Sequence, residues 1–148
     1  MTKLKPFKKE FTEKQKGVLL KKYKHWSLYL SPKQYYIGKL RIVLDRKGIV
    51  DMCELRKAEI DELIKITKIG KRALVKAFNP DLFNYATLGN CIRHHHWHII
   101  PRYKNKRIVN KRIFKDNHWN NPAWPNPGKK VDKKTMQIIY DKVKMEIK

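Results

Sequence analysis

The chain has 148 residues, of which 41% are hydrophobic, and its formal net charge is +23. This length suits one domain with a buried core, and this apolar content excludes a wholly disordered chain. No apolar run approaches the roughly 20 residues that a membrane helix requires. The two cysteines are too few for an all-cysteine zinc site. Because the lysine-rich N-terminus is not followed by an apolar run, we expect no signal peptide and a cytoplasmic location.

The charge comes from 36 basic residues set against 13 acidic ones. A field of this size attracts polyanions, a class that includes nucleotides, nucleic acids, anionic membranes and polyphosphate. Lysine outnumbers arginine, which favours a diffuse field over many bidentate contacts. The alternative interpretation is that the number of basic residues reflects a general compositional bias toward lysine and has little bearing on function.

The first part of the chain is predicted to form a basic N-terminal tail over residues 1–24. Within it, Thr12 is a plausible N-cap for a helix over 11–24. Residues 25–148 are predicted to form a single domain. Alternation of side chains predicts a strand over 26–30, and the β-branched residues predict another over 38–44, followed by a turn.

The strongest periodicity predicts a long helix over 56–78, which Asn79 and Pro80 terminate. Strands are predicted over 82–87 and 94–101, an irregular basic loop over 104–130, and a C-terminal helix over 131–148. Strand pairs separated by one long helix indicate an α+β fold with an antiparallel sheet.

The candidate chemistry lies in a run of four histidines in five residues, His94 to His98. In a strand, His94, His96 and His98 share one face. Nearby positive charge lowers the pKa of an imidazole and keeps it neutral and nucleophilic. The pattern fits a three-histidine zinc site, nucleophilic attack on a phosphate ester, or histidines without a catalytic role.

Three histidines spaced by one residue and followed by Ile99 and Ile100 resemble the signature of the histidine triad (HIT) superfamily. Pro101-Arg102 resembles its dinucleoside-polyphosphate hydrolase branch, of the bacterial diadenosine tetraphosphate hydrolase type. The similarity spans about residues 25–103. It implies a HIT-like fold and, because members are usually dimers, a homodimer.

The resemblance implies a nucleotide hydrolase that acts on a phosphoanhydride or phosphoramidate at the α-phosphorus. His96 would attack, forming a covalent nucleotidyl-histidine that water then releases as the nucleoside monophosphate. The backbone carbonyl near His94 would hold Nδ1–H of His96, and His98 would donate to phosphate oxygens. No bound cofactor or metal is required, although free magnesium is compatible with a polyphosphate substrate.

Further positions are implied as substrate contacts. Asn84 matches a family asparagine, with one residue fewer before the triad. Asn90 stands where the family usually has glutamine, Cys91 where it often has serine or threonine, and His95 where it usually has a hydrophobic residue. The implied set of substrate-binding residues comprises Asn84, Asn90, Cys91, Arg102, Ile42 and Leu44.

Two other functions are compared with nucleotide hydrolysis, namely nucleotidyl transfer and nucleic-acid binding. His98 stands where the hexose-phosphate uridylyltransferase branch has glutamine, so the resemblance favours hydrolysis over nucleotidyl transfer. A nucleic-acid-binding or adenylated-nucleic-acid-processing protein is the alternative, because the chain combines its charge with aromatic residues such as Trp119 and Trp124. Those two tryptophans equally fit a role in pinning the basic loop to the domain.

Overall fold

The computed structural model describes residues 8–123 and 128–148 of the chain. The fold is a five-stranded antiparallel sheet with one long helix and a C-terminal helix packed against it, as predicted. The strand order is β1-β2-β3-β5-β4, and a separate hairpin pairs β6 with β7. The elements are α1 (Glu13–Lys16), β1 (Val18–Lys22), β2 (Trp26–Leu30), β3 (Leu40–Leu44), α2 (Lys57–Phe78), β4 (Leu82–Ala86), β5 (His96–Arg102), β6 (Arg107–Val109), β7 (Arg112–Phe114) and α3 (Lys133–Lys144).

The helix predicted over 11–24 is wrong beyond its first turn. Thr12 caps α1 as predicted, with its side chain accepting from the backbone N–H of Gln15. Gly17 then adopts a φ of 101°, and a Cβ there would overlap the carbonyl oxygen of Leu30. The chain therefore leaves the helix at Gly17 and continues as edge strand β1, which brings Leu20 into the core. A hairpin thus joins the end of the predicted tail to the predicted domain.

Helix α2 forms where the periodicity predicts it, and it ends at Asn79 in the left-handed conformation. Its buried face packs on the sheet. A Cβ at Gly70 would lie 3.0 Å from Cδ1 of Ile99 and 3.1 Å from Cδ1 of Leu40, so the glycine permits this close approach. In the described parts of the chain, no helix has the length and apolar character needed to cross a membrane.

The register of β3 against β5 separates the two faces of the sheet. Arg41 lies opposite His98 and Val43 opposite His96, whereas Ile42 lies opposite Trp97. Because side chains alternate along a strand, Ile42 points toward α2 and the core, and the two histidines point to the other face. The candidate site therefore lies on the side of the sheet that faces away from α2.

The segment predicted as an irregular loop over 104–130 contains regular structure. Strands β6 and β7 form a hairpin whose turn residues, Asn110 and Lys111, both have positive φ, the geometry of a tight two-residue connection. The hairpin was missed because the turn lacks glycine. Helix α3 is shorter than predicted and is capped by Asp132. Trp124, one of the candidate stacking residues, lies outside the described residues.

Candidate active site

The strand that carries the triad begins later than predicted. β5 starts at His96, so His94 and His95 precede it, and strand alternation does not place His94. Instead, Nε2 of His94 lies 2.6 Å from the carbonyl oxygen of Leu44. The side chain of His94 lines a small cavity of about 230 Å³. His94 therefore contributes its main chain to the site, while its ring is held by the neighbouring strand.

The main-chain contact expected for His96 is present. Nδ1 of His96 lies 2.6 Å from the carbonyl oxygen of His94. Because a carbonyl oxygen only accepts, Nδ1 must carry the proton and Nε2 must hold the lone pair. Burial lowers the pKa of His96 to about 4, and nearby Arg41 lowers it in the same direction. His96 is thus a neutral imidazole with a defined tautomer at neutral pH.

The N-terminal segment covers one side of His96. The ring of Phe11 packs edge-on against the His96 ring, with their centroids 4.7 Å apart, and His96 is only 7% exposed. Arg41 lies over the other side of Phe11 and donates to the carbonyl of Gln15. The His96 ring is therefore shielded by Phe11 and also contacts the ring of His98.

His98 contacts His96 and also lines a large cavity. The two rings are in contact, with centroids 5.0 Å apart, and His98 lines a cavity of about 880 Å³. Within the described residues, the buried Nδ1 of His98 has no hydrogen-bond partner. Burial holds the pKa of His98 well below its ordinary value, and Lys39 and Arg41 lower it further. His98 is therefore neutral and has an unused polar atom.

His95 occupies a packing position rather than a reactive one. It is buried, and its ring packs against Trp26 and Trp97. Its Nδ1 lies 3.2 Å from the carbonyl of Val50, while Nε2 accepts from the Trp97 indole at 2.9 Å. Burial lowers its pKa. These two bonds satisfy the polar ring, so His95 is able to pack among buried aromatic side chains.

The structure brings part of the predicted substrate-binding set to the large cavity. Asn84, Asn90 and Arg102 line it together with His98, and the half-buried Trp119 contributes to the opposite wall. Cys91 is exposed and lies outside the lining.

The expected pocket role of Ile42 and Leu44 requires a correction. Both side chains are buried in the core on the opposite face of the sheet, so they do not contact a ligand in the large cavity. The alternation along β3 accounts for this, because Arg41 and Val43 occupy the face shared with the histidines.

Arg102 is a structural hub rather than a free phosphate ligand, which corrects the role expected for it. Its guanidinium forms a buried bidentate pair with Asp116, at 2.7 and 3.1 Å. The remaining donors bond to Oδ1 of Asn84 and to the carbonyls of His118 and Asn121, at 2.6 to 2.8 Å. All five N–H groups are engaged and the side chain is 1% exposed, so none remains for a substrate.

Two cations beside His98 were not predicted from the sequence. Lys39 lines the large cavity although it is only 1% exposed, and Arg41 lies opposite His98 on β3. Burial lowers the pKa of Lys39 to about 7 and that of Arg41 to about 10. In the sequence, Lys39 and Arg41 stand out as charged residues at alternate positions of the strand predicted over 38–44. Only the pairing of β3 with β5 shows that they lie beside the histidines.

The three-histidine zinc site considered from the sequence receives no support from the described residues. Across residues 8–123 and 128–148, no three histidine, cysteine or acidic side chains are grouped so as to hold a metal ion.

Comparisons with known proteins agree with the geometry. Residues 38–105 match the family model of the HIT domain. A histidine triad protein from Bradyrhizobium japonicum superposes with a TM-score of 0.77 at 21% identity, covering 97% of this chain and 100% of that one. A histidine triad protein from Marinobacter aquaeolei gives a TM-score of 0.76 at 19% identity, covering 95% and 96%.

A uridylyltransferase structure also shares the fold, with a TM-score of 0.61 at 17% identity, covering 92% of this chain and 42% of that chain. Comparison with curated proteins gave no significant match. The HIT-domain model thus matches just under half of the chain, and the solved structures show that the chain shares their fold.

Proposed function

We propose that the protein is a nucleotide hydrolase that cleaves its substrate at the α-phosphorus through a covalent intermediate on His96. The observation that carries the proposal is the 2.6 Å contact between Nδ1 of His96 and the carbonyl of His94. It directs the lone pair of Nε2 away from the main chain and fixes the neutral tautomer that a nucleophile requires.

In the first step, Nε2 of His96 forms a bond to the α-phosphorus. The bond from that phosphorus to the bridging atom breaks, and its electron pair leaves with the leaving group. The His96 ring then carries positive charge, which the carbonyl of His94 stabilises through Nδ1–H. His98, whose ring is in contact with that of His96, donates a hydrogen bond to a phosphate oxygen.

In the second step, a water molecule attacks the same phosphorus. The new oxygen–phosphorus bond replaces the nitrogen–phosphorus bond, whose electron pair returns to Nε2. The water proton passes to solvent and the nucleoside monophosphate departs. Asn84 is proposed to contact the substrate through its Nδ2 amide, since its Oδ1 accepts from Arg102 and the residue lines the cavity.

Dinucleoside polyphosphates are the first choice of substrate. The cavity of about 880 Å³ lies within the range of small-molecule sites. The basic surroundings of His98 favour a substrate with several phosphates. The protein is further proposed to act as a homodimer without a resident cofactor, with magnesium arriving only on the polyphosphate.

The test is turnover by the wild type and by the His96→Asn variant, measured as release of AMP. The substrates are diadenosine tetraphosphate, adenosine phosphoramidate and adenylated DNA. We expect the variant to lose at least about a hundredfold in kcat, because no covalent intermediate forms. Rapid quenching of the wild type should trap a nucleotidyl-protein adduct that the variant lacks. Normal turnover by the variant would falsify the assignment of the nucleophile.

Nucleotidyl transfer is the second candidate, favoured by the structural likeness to a uridylyltransferase. It predicts the same adduct on His96 but a different second step, in which a sugar phosphate replaces water. Adding hexose phosphates during turnover separates the two functions. We expect AMP to remain the product, and a nucleotide sugar would instead establish the transferase.

A further inference from the structure

Lys39 lies in a position that is energetically costly for a lysine. It is 1% exposed, and no carboxylate or other acceptor among the described residues bonds to its Nζ. Burying a cation without a counter-charge is unfavourable, so such groups usually have a partner or lose their proton. Lys39 lines the large cavity, which is a space that a ligand is able to enter.

Two further polar groups beside Lys39 lack partners. The buried Nε of Arg41 and the buried Nδ1 of His98 have no hydrogen-bond partner in the described parts of the chain. Lys39 immediately precedes β3 and lines the large cavity together with His98, and Arg41, two residues later, lies opposite His98 on that strand. The sheet thus presents two cations and an imidazole in one strip beside the nucleophile.

Arg102 also lines the cavity, but it is not available to bind an anion there. Arg102 has all five donors bonded to protein oxygens, as described above. Among the described residues that line the large cavity, Lys39 is consequently the cation left without an anionic partner. An anion bound in the cavity next to His98 would supply that counter-charge.

We propose that Lys39, with Arg41 and His98, forms a subsite for the phosphates that follow the α-phosphate of the substrate. The inference rests on the proposed function and narrows it. The subsite selects nucleotides whose leaving group is itself a phosphate chain, and it disfavours phosphoramidates, whose leaving group carries no negative charge. Lys39 is the specificity-determining member, because Arg41 also holds the N-terminal segment through Gln15.

Three variants test the subsite. Lys39→Met removes the charge while keeping a long side chain, and Lys39→Arg retains the charge. Lys65→Met is the matched control, because Lys65 is exposed on α2 on the other side of the sheet. For Lys39→Met we expect kcat/KM for diadenosine tetraphosphate to fall about tenfold or more, the scale of a lost hydrogen bond to a charged group. The value for adenosine phosphoramidate should change less than about twofold, and Lys39→Arg should recover part of the loss.

A binding measurement separates the subsite from the catalytic assignment. Inorganic tripolyphosphate, titrated calorimetrically, should bind the wild type, Lys65→Met and His96→Asn with similar affinity. It should bind Lys39→Met about tenfold more weakly. If Lys39→Met binds tripolyphosphate normally, or loses both substrates equally, the subsite is wrong. If His96→Asn still turns over substrate while Lys39→Met binds tripolyphosphate weakly, the proposed function fails and the subsite stands.

Discussion

At the residue scale, the candidate site places the neutral imidazoles of His96 and His98 near two cations, Lys39 and Arg41. Burial is the largest cause of the lowered pKa of His96, and Arg41, His95 and His94 lower it further, whereas the bond to the His94 carbonyl opposes them. Burial is also the main cause of the lowered pKa of Lys39, with Arg41 and Lys33 adding to it. The same water-poor environment thus favours a neutral imidazole and weakens the hold of Lys39 on its proton.

These two pKa values predict the pH dependence of kcat/KM for diadenosine tetraphosphate, whose internal phosphates do not titrate near neutral pH. In the proposed function the neutral form of His96 attacks, so the acid limb should lie near pH 4 rather than near 6.5. In the proposed subsite the charged form of Lys39 binds phosphate, so kcat/KM should fall as pH rises above about 7. Steady-state rates between these limits check both. Lys39→Met should lose the alkaline limb only, and an acid limb near 6.5 would contradict the burial argument.

At the scale of elements, one buried ion pair joins the end of β5 to the segment that closes the cavity. Arg102 on β5 and Asp116 are each 1% exposed at the side chain, and the guanidinium also bonds to the carbonyls of His118 and Asn121. The cavity wall that includes Trp119 therefore depends on Arg102 for its position.

Replacing Asp116 by Asn should strongly destabilise the protein. The variant leaves the Arg102 charge buried without its carboxylate, and breaking such a pair costs about 3 to 5 kcal/mol. Urea unfolding should show a lower midpoint with an unchanged slope. The control is Asp61→Asn, which removes an exposed ion pair with Lys57 and should change stability by less than about 0.5 kcal/mol. Equal effects of the two variants would show that Asp116 does not organise the segment.

Elements with strong local signals could be predicted from the sequence. The helical periodicity and the stop at Asn79 and Pro80 predict the long helix, and local strand signals predict the strands on either side of it. The structure contains these elements. β1 was missed because residues 18–22 favour a strand only when they pair with β2, and because Gly17 ends the helix for a steric reason that appears only in three dimensions.

The candidate site could be predicted only in part, because some of its features are local in sequence and others depend on distant partners. The histidine motif identifies His96 and the main-chain contact that orients it, since both are local in sequence. The roles of Arg102 and Lys39 depend on partners far away in the chain, Asp116 for one and the paired strand β5 for the other. Sequence spacing alone does not distinguish an arginine whose donors are all engaged from a lysine that has none engaged.

At the scale of the whole molecule, the charge of +23 extends well beyond the site. The outer face of α2 is one source of this field. Its exposed basic side chains are Lys57, Lys65, Lys68, Lys71, Arg72 and Lys76. This face lies on the side of the sheet away from the triad, so mutations should separate nucleic-acid binding there, if the protein has it, from the proposed catalysis at His96.

The separation gives a test of the nucleic-acid-binding alternative. Substituting Lys65, Lys68 and Arg72 by Gln should weaken binding of a single-stranded oligonucleotide and reduce its salt dependence, because fewer phosphates are neutralised. Fluorescence anisotropy between about 50 and 200 mM salt measures both, and we expect wild-type affinity to fall at least about tenfold over that range.

Turnover of diadenosine tetraphosphate by the triple variant should stay within about twofold of the wild type, whereas His96→Asn should lose turnover and keep its oligonucleotide affinity. If the triple variant instead lost turnover together with binding, the two activities would share one surface. The substrate would then be a nucleotide at the end of a nucleic acid rather than a free dinucleotide.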